Sequence, residues 1–221
     1  MALSILANLA GEPDLDRALA NYRAIGKDYD STCGNIEDLR LATILALDLR
    51  PGETVFDVAC GTGSTLLLLS EQVGPAGYVV GVELSPEMAA QASARVAGNA
   101  DCRNVAVVQT AMSELAFDRK ADAILMCYAH DVLQSVASID RLLTAARPGA
   151  RIALLGMKTL PWLWGWPVNS FNLYRARRYL TTYANMDCPW RLLSERGAQL
   201  RLVRTALWGS AYLVVGRLPG K

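Results

Sequence analysis

The chain has 221 residues, of which 52% are hydrophobic, and its formal net charge at pH 7 is +1. This length and apolar content suit one α/β domain with a sizeable core, and they argue against two complete domains. The near-neutral charge provides no broad basic surface, so we expect no nucleic-acid partner. No apolar stretch reaches the roughly 20 residues that a membrane span needs, so we predict no integral membrane segment.

The five cysteines are scattered along the chain without a C-x-x-C pair, and the chain has a single histidine. Zinc sites need such ligands at short, regular spacings, so we predict no bound metal. An odd number of cysteines and the lack of a basic-then-apolar leader favour a reducing, cytoplasmic location.

Residues 1–48 are predicted to form an N-terminal helical segment ahead of the first strand. The last part of this segment carries an apolar stripe made of Leu39, Ala42, Ile44, Leu45 and Leu47. Such spacing indicates the buried face of a helix. Pro51 and Gly52 follow the stripe and indicate a turn into the strand.

A short apolar strand that runs into a glycine turn is the most informative feature of the chain. Residues 55–63 read Val-Phe-Asp-Val-Ala-Cys-Gly-Thr-Gly, and the β-forming residues suit a parallel strand covered on both faces. Gly61 and Gly63 lack a Cβ atom, which allows a sharp turn and close approach of a ligand. Ser64 and Thr65 offer hydroxyls to cap a helix over residues 66–73, whose free N–H groups would face that ligand.

A second strand over residues 78–83 ends at Glu83, 20 residues beyond Gly63. A carboxylate at that distance accepts the hydroxyls of a ribose in dinucleotide-binding folds. The third glycine of a dinucleotide turn is missing because Leu66 takes its place, and the chain has no Walker-type phosphate loop. The pattern therefore predicts a nucleotide-like cofactor without a pyrophosphate.

The remaining elements alternate and predict one doubly wound α/β unit. Ser85 and Pro86 open a helix over residues 86–97, with the serine as its N-cap. Pro148 and Gly149 form a turn signal before the last parallel strand. The parallel strands are predicted over residues 105–109, 123–127 and 151–156. A closing antiparallel hairpin is predicted over residues 199–206 and 212–216.

The motif D-V-A-C-G-T-G over residues 57–63, together with the acid at residue 83, resembles the class I S-adenosylmethionine-dependent methyltransferases. The resemblance is to their small-molecule, type 11/25-like branch and is strong from about residue 49 to residue 157. It implies S-adenosylmethionine as the cofactor and S-adenosylhomocysteine as a product. It also implies a methyltransferase domain over residues 49–221, with a Rossmann-like seven-stranded sheet, its last strand reversed, and helices on both faces.

The resemblance further implies which residues hold the cofactor. Glu83 is expected to hold the ribose, and Leu84 is expected to pack on the adenine. Many family members have an aspartate after the third strand, whereas this chain has Ala111 and Met112 there. The adenine contact is therefore expected from backbone groups, Ser113 or apolar packing. The methionine part is expected to lie near Asp57, Ala59, Cys60, Gly61, Gly63 and Cys127.

Tyr128 and His130 follow the fourth strand, next to the expected position of the sulfonium. His130 is the only histidine, and a neutral imidazole there can take a proton from a substrate hydroxyl or amine. The competing interpretation is that His130 caps the next helix or bonds to backbone. Tyr128 is a candidate to orient substrate or stack on the sulfonium, with structural packing as the alternative. Cys60 is interpreted as a small apolar spacer rather than a nucleophile.

Substrate choice is predicted to reside in an insertion over about residues 158–183. Trp162, Trp164 and Trp166 are bounded by prolines, a pattern that indicates neither a helix seam nor a surface strand. We expect them to wall an apolar pocket, or else to cover the sheet or form a dimer contact. Arg175 follows as a candidate to clamp a carboxylate or phosphate, unless it lies on a solvated helix face.

In related methyltransferases, an aromatic stretch ahead of the first strand forms a lid over cofactor and substrate. Tyr22 and Tyr29 are the candidates for this role here. A surface helix with incidental tyrosines is the competing interpretation.

The sequence thus predicts an enzyme of small-molecule biosynthesis that transfers a methyl group to nitrogen, oxygen or carbon of a small, partly apolar metabolite by in-line displacement. Tryptophans beside arginines also suit a membrane interface, so a phospholipid headgroup N-methyltransferase with peripheral membrane contact is one alternative. The others are a cyclase or decarboxylase that binds S-adenosylmethionine without moving its methyl group, and a non-catalytic partner subunit. A monomer or a homodimer is expected.

Overall fold

A seven-stranded mixed sheet forms the centre of the computed structural model, which describes residues 11–25, 37–100 and 102–220. In chain order the strands are β1 (Thr54–Val58), β2 (Tyr78–Glu83), β3 (Val105–Gln109), β4 (Ala121–Cys127), β5 (Ala146–Met157), β6 (Gln199–Ala206) and β7 (Ala211–Arg217). Across the sheet their order is β3-β2-β1-β4-β5-β7-β6. Strands β1 to β5 run parallel, and β7 lies antiparallel between β5 and β6. The predicted sheet with its antiparallel hairpin is therefore confirmed.

Helices cover both faces of this sheet. They are α1 (Leu15–Ile25), α2 (Glu37–Leu45), α3 (Leu66–Val73), α4 (Pro86–Ala97), α5 (His130–Gln134), α6 (Val136–Ala145), α7 (Trp162–Ala176) and α8 (Arg191–Glu195). One buried cluster joins Phe56 of β1 to Leu142 of α6, and another joins Val55 to Leu69 of α3. Because neighbouring strand residues point to opposite faces, these clusters are the two layers of a doubly wound fold.

The packing of α3 on the sheet explains how the chain tolerates Leu66 in place of a third glycine. Leu66 is fully buried, and the strand residue beneath it is Gly81. A Cβ atom at Gly81 would lie only 3.1 Å from Leu66 Cδ2. A Cβ atom at Gly63 would lie 2.9 Å from Ala92 Cβ, so this second turn glycine serves the close packing of α4. In a dinucleotide turn, the third glycine allows the close contact between helix and strand. In this chain Gly81 of β2 allows it instead.

Several predicted bounds differ from the structure: β4 begins at Ala121 rather than at residue 123, and β7 spans Ala211–Arg217 rather than residues 212–216. Strand β5 begins at Ala146 rather than Arg151, because pairing with β4 continues through an irregularity that contains Pro148 and Gly149. The tryptophan-rich part of the insertion forms the helix α7, although the tryptophan pattern indicated neither a helix seam nor a surface strand. Pro161 occupies its N-cap, where a missing N–H costs nothing, and the helix tolerates Pro167 inside it.

Candidate functional site

A cavity of about 230 Å³ lies at the carboxyl ends of β1, β2 and β4. This edge of a doubly wound sheet is where ligands bind. The wall is mostly apolar with a few polar groups, as is usual for small-molecule sites. It combines the ends of these strands with residues of α1 and of the segments that follow β3 and β4.

The turn after β1 has left-handed backbone at Ala59, Gly61 and Gly63, with φ angles of 59°, 58° and 76°. Glycine adopts this conformation at little cost, whereas Ala59 is strained. The backbone N–H of Cys60 donates to the Val82 carbonyl at 3.1 Å and holds the turn against β2. Ala59 and Gly61 border the cavity, so the strained backbone lies where a ligand would approach.

Glu83 ends β2 with its carboxylate buried at the cavity wall. Its Oε2 atom accepts a hydrogen bond from the Gly61 N–H at 2.9 Å, and its Oε1 atom accepts one from the Ser85 N–H at 2.8 Å. Burial raises the pKa of Glu83, and these N–H donors oppose the rise. The carboxylate is therefore fixed between two loops, and each oxygen retains a lone pair for a ligand hydroxyl.

Asp57 lies behind the wall of the cavity rather than in it. Its carboxylate accepts a hydrogen bond from Thr65 Oγ1. Burial raises the pKa of Asp57 to about 7, and the hydrogen bond from Thr65 opposes that rise. The prediction that Thr65 caps α3 is wrong for its side chain, which makes no capping bond. A buried carboxylate needs a donor, and it takes the hydroxyl instead.

Two of the predicted cofactor contacts are cysteines, and they lie in different positions relative to the cavity. Cys60 lies behind the wall against β2, where a Cβ atom at Gly81 would come within 2.9 Å of its Sγ atom. Cys127 borders the cavity. Burial raises the pKa of both thiols above the usual range, so both remain protonated at neutral pH. Cys60 has the geometry of a spacer.

The residues predicted around the adenine, Leu84, Ala111, Met112 and Ser113, all border the cavity. Met88 borders it as well, and our sequence analysis missed this residue. Met88 lies in the first turn of α4, where its N–H donates to the Ser85 hydroxyl at 3.3 Å. Side chains in the first turn of a helix point back over the preceding loop, so the predicted Ser85 cap was the available signal.

His130 begins α5 and borders the cavity with its side chain buried. Neither ring nitrogen has a hydrogen-bond partner among the described residues. Burial lowers the pKa of His130 to about 4; a backbone group of Ala184 opposes this shift without reaching hydrogen-bonding geometry. The imidazole is therefore neutral at pH 7. Ala129 is the N-cap of α5, and the His130 side chain makes no capping bond to this helix.

Tyr128 connects β4 to α5 with a φ of 57°, a strained conformation for an aromatic residue. Its backbone N–H donates to the Leu155 carbonyl at 2.7 Å, which extends the β4–β5 pairing past the end of β4. Tyr128 borders the cavity beside Cys127. The exit of β4 is thus held in an unusual conformation next to the predicted position of the sulfonium.

Comparison with known proteins identifies the family that the central part of the chain matches. Residues 55–149 match the family described as "Methyltransferase domain". These residues form a methyltransferase domain. A solved S-adenosylmethionine-dependent methyltransferase from Aquifex aeolicus shares the fold, with a TM-score of 0.63, 23% identity, and coverage of 81% of this chain and 89% of that one.

Curated relatives also match the methyltransferase domain. Demethylmenaquinone methyltransferase of Symbiobacterium thermophilum is 32% identical over 145 residues, which is 63% of this chain and 56% of that protein. Nocamycin O-methyltransferase of Saccharothrix syringae is 34% identical over 152 residues, which is 66% of this chain and 52% of that protein. The chain spans 31% to 56% of the length of the first three curated relatives.

A polar linkage beside the methyltransferase cavity was missed by our sequence analysis. Thr181 donates to Asp131 from its backbone N–H at 3.0 Å and from its hydroxyl at 2.7 Å. The same hydroxyl accepts a hydrogen bond from the Asp14 N–H at 3.0 Å. This Asp131–Thr181–Asp14 linkage joins α5, the segment after α7 and the start of α1. Asp131 is thus engaged away from His130.

The predicted substrate-side residues of the methyltransferase domain divide into three groups. Tyr22 borders the cavity from α1. Tyr29 lies outside the described residues. Trp162, Trp166 and Arg175 lie on the exposed side of α7, so they do not wall this cavity as we predicted. The reason is the orientation of α7, which directs its small residues toward the domain.

Metal and membrane features were also sought over residues 11–25, 37–100 and 102–220. No three His, Cys, Asp or Glu side chains within these ranges come together as metal ligands. None of the helices in these ranges is long and apolar enough to cross a bilayer. Free thiols in the described chain are Cys60, Cys102, Cys127 and Cys188.

Proposed function

We propose that this protein is an enzyme that transfers the methyl group of S-adenosylmethionine to nitrogen, oxygen or carbon of a small, partly apolar metabolite. One observation carries the proposal: the Glu83 carboxylate and the His130 imidazole border the same apolar cavity beside the Gly61 turn. The carboxylate suits the hydroxyls of a ribose, and the imidazole suits an acceptor hydroxyl or amine. A methyl transfer to a hydroxyl or amine can use both kinds of group in one site.

The residues around the cavity fit S-adenosylmethionine, because a ribose-binding acid is present and a pyrophosphate turn is not. Glu83 would hold the ribose. The adenine would lie among apolar side chains, namely Leu84, Met88, Ala111 and Met112. The methionine part would lie along Ala59, Gly61 and Cys127, and the turn would be shaped from behind by Asp57, Cys60 and Gly63. When bound, the cofactor supplies an electrophilic methyl group on its sulfonium.

The residues of this chain contribute mainly position and proton transfer. In-line alignment inside a dry cavity removes most of the entropy cost of bringing two reactants together. The neutral His130 imidazole accepts a hydrogen bond from the acceptor and then its proton. An alcohol that gains a methyl group becomes strongly acidic, so a base with a pKa of about 4 suffices. Tyr128 orients the acceptor from the end of β4.

We further propose that the N-terminal segment acts as a lid. Pro13, Leu15, Ala18 and Tyr22 all border the cavity from α1 or the residues just before it. Two long-range contacts fix this cover: the Asp131–Thr181–Asp14 linkage, and an ion pair of 3.2 Å between Arg23 and Glu87.

A small-molecule acceptor is supported by the names of the curated relatives. Demethylmenaquinone methyltransferase is named for a quinone, and nocamycin O-methyltransferase for a small molecule with an oxygen acceptor. The mostly apolar cavity wall agrees with an acceptor that has an apolar part.

The proposal is tested with methyl-labelled S-adenosylmethionine, purified protein and cell extract. We expect label in a small-molecule fraction, and we expect Gly61→Arg to abolish it because the new side chain fills the turn beside the cavity. Gly149→Arg is the matched control, because Gly149 also has a positive φ, of 73°, but faces open space. Measured cofactor binding without any transfer of label would overturn methyl transfer as the function.

A phospholipid headgroup N-methyltransferase is the second candidate, favoured by the exposed tryptophans of α7 and the exposed arginines at and just after its end. Label in intact phospholipid would favour it over a metabolite. A cyclase or decarboxylase would give a product without the added mass of a methyl group, and a non-catalytic partner subunit would give no product at all. Size-exclusion chromatography distinguishes a monomer from a homodimer.

A further inference from the structure

Helix α7 carries its large apolar side chains toward solvent. Trp162, Trp164 and Trp166 are 59%, 61% and 60% exposed, and Leu163 is 94% exposed. Further along the helix, Phe171 is also exposed. An ordinary surface helix buries such residues against the core. We call this exposed side of α7 the aromatic face, made of Trp162, Leu163, Trp164, Trp166, Phe171 and Tyr174.

The side of α7 that faces the domain is small and polar. Gly165, Asn169 and Ala176 are its buried residues. Asn169 accepts a hydrogen bond from the Leu160 N–H at 2.8 Å and donates one to the Leu160 carbonyl at 2.9 Å. A Cβ atom at Gly165 would come within 2.3 Å of Leu160 Cβ, so no larger residue fits there. These contacts fix the helix with its aromatic face outward. The exposure of the tryptophans therefore follows from specific contacts on the opposite side of the helix.

The turn between β6 and β7 adds to this surface. Trp208 is 88% exposed and Leu207 is 52% exposed. The next residue, Gly209, lies against Leu160, because a Cβ atom there would be 3.3 Å from Leu160 Cδ2. Leu160 thus contacts both α7 and the Trp208 turn, and the two lie side by side. Four of the five tryptophans of the chain are exposed on these two neighbouring elements.

The segment that contains the aromatic face has a positive net charge. Residues 158–186 contain Lys158, Arg175, Arg177 and Arg178 and no Asp or Glu, which gives +4 in a chain of net charge +1. The rest of the chain therefore carries −3. Arg177 stacks on Tyr174 with its guanidinium 3.8 Å from the ring centroid, so the aromatic face and the positive charge are adjacent.

We propose that the aromatic face and the Trp208 turn bind the surface of an anionic lipid bilayer. Indole rings prefer the headgroup depth of a bilayer, and arginines near the surface are attracted to anionic lipids. Protruding apolar side chains such as Leu163 insert into the boundary between headgroups and acyl chains. A second copy of this chain is a poorer partner, because a two-fold contact would place one +4 segment against another. The proposal is independent of the proposed methyl transfer.

The test is sedimentation of the full chain with vesicles, without cofactor or substrate. We expect binding to phosphatidylcholine vesicles that contain phosphatidylglycerol, with a blue shift of the tryptophan emission. Arg177→Ala with Arg178→Ala should lower the partition coefficient roughly 10- to 30-fold at low salt. Trp164→Ser with Trp208→Ser should lower it at least about tenfold, and this loss should persist at high salt because burial of apolar surface is not screened.

Matched controls come from the exposed edge strand β6. Leu202→Ser with Val203→Ser removes two apolar side chains that are each 46% exposed, and Arg201→Ala with Arg204→Ala removes two exposed arginines. We expect neither pair to change vesicle binding. Equal losses for the two β6 pairs, for the Arg177–Arg178 pair and for the Trp164–Trp208 pair would overturn the proposal. The proposal would also be overturned if the wild-type protein does not bind anionic vesicles and instead forms a dimer, and if the tryptophan substitutions dissociate that dimer.

Discussion

The backbone N–H of Gly61 donates to Glu83 Oε2 at 2.9 Å and so ties the turn after β1 to the end of β2. We expect Glu83→Gln to raise the dissociation constant of S-adenosylmethionine at least about tenfold, because an amide accepts ribose hydroxyls less strongly than a carboxylate. The amide NH₂ group would also face the N–H donor of either Gly61 or Ser85, so one of these two hydrogen bonds would be lost. Isothermal titration calorimetry measures the change.

Glu71→Gln is the control for this substitution, because Glu71 is an exposed acid of α3 outside the cavity wall. It should bind the cofactor like the wild-type protein. Equal affinity of Glu83→Gln and Glu71→Gln would remove Glu83 from the proposed cofactor site.

Replacing His130 separates activity from stability. His130→Phe removes two buried nitrogens that lack partners among the described residues, so the free energy of unfolding should be unchanged or higher by about 1 kcal/mol. Transfer of label should nevertheless fall by about 10²-fold if His130 is the base. Urea unfolding and the labelled-methyl assay measure the two effects. Lost stability with full activity would show that the histidine is only structural.

The low pKa of His130 makes its contribution to stability depend on pH. Its pKa is about 4 in the folded protein and 6.5 ordinarily, so between these values only the unfolded chain binds the proton. Lowering the pH from 7 to 4 should therefore cost the wild-type protein about 3 kcal/mol relative to His130→Phe. The comparison cancels Asp57, whose raised pKa acts in the opposite direction in both proteins. Parallel pH profiles for the two proteins would contradict the buried, neutral imidazole.

Gly63 and Gly149 form a matched pair for testing packing behind the turn. Their φ angles are 76° and 73°, so an alanine is equally strained at both positions. At Gly63 the new Cβ atom also meets Ala92 Cβ at 2.9 Å, whereas Gly149 has open space. We expect Gly149→Ala to cost about 1 kcal/mol and Gly63→Ala about 2 to 4 kcal/mol in urea unfolding. Equal costs would mean that only backbone strain matters at Gly63.

The Asp131–Thr181–Asp14 linkage predicts a link between stability and ligand retention. Thr181→Val keeps the shape of the side chain but removes the hydroxyl that bonds to both partners, so we expect a loss of about 1 to 3 kcal/mol. If α1 is a lid, the cofactor should also dissociate several times faster in stopped-flow measurements. Thr144→Val, which removes an exposed hydroxyl bonded to the Arg141 carbonyl, should change neither.

Local signals predicted much of the fold. Ser85 and Pro86 identified the start of α4, since a capping hydroxyl and a proline act within one turn. The bounds of β2, β3 and β6 followed from apolar runs between turn residues. The position of His130 at the exit of β4 followed from the same pattern.

The other features could not be predicted, because they depend on contacts between residues that no local sequence pattern relates. The hydroxyl of Thr65 suits a helix cap, but the buried Asp57 carboxylate, eight residues earlier, takes it. Asp14 and Thr181 are 167 residues apart, and no periodicity relates them. The orientation of α7 was missed for a related reason. Hydropathy places large apolar residues inward, whereas the contacts of Leu160 with Gly165 decide the orientation.

The position of β7 between β5 and β6 has a consequence for biosynthesis. Strand β6 leaves the ribosome first, yet β7 is its only partner in the described sheet. Until β7 emerges, β5 presents an unpaired edge and β6 has no place in the sheet. This half of the sheet is therefore completed only after β7 has emerged, and until then the free edge of β5 is available for pairing with other strands.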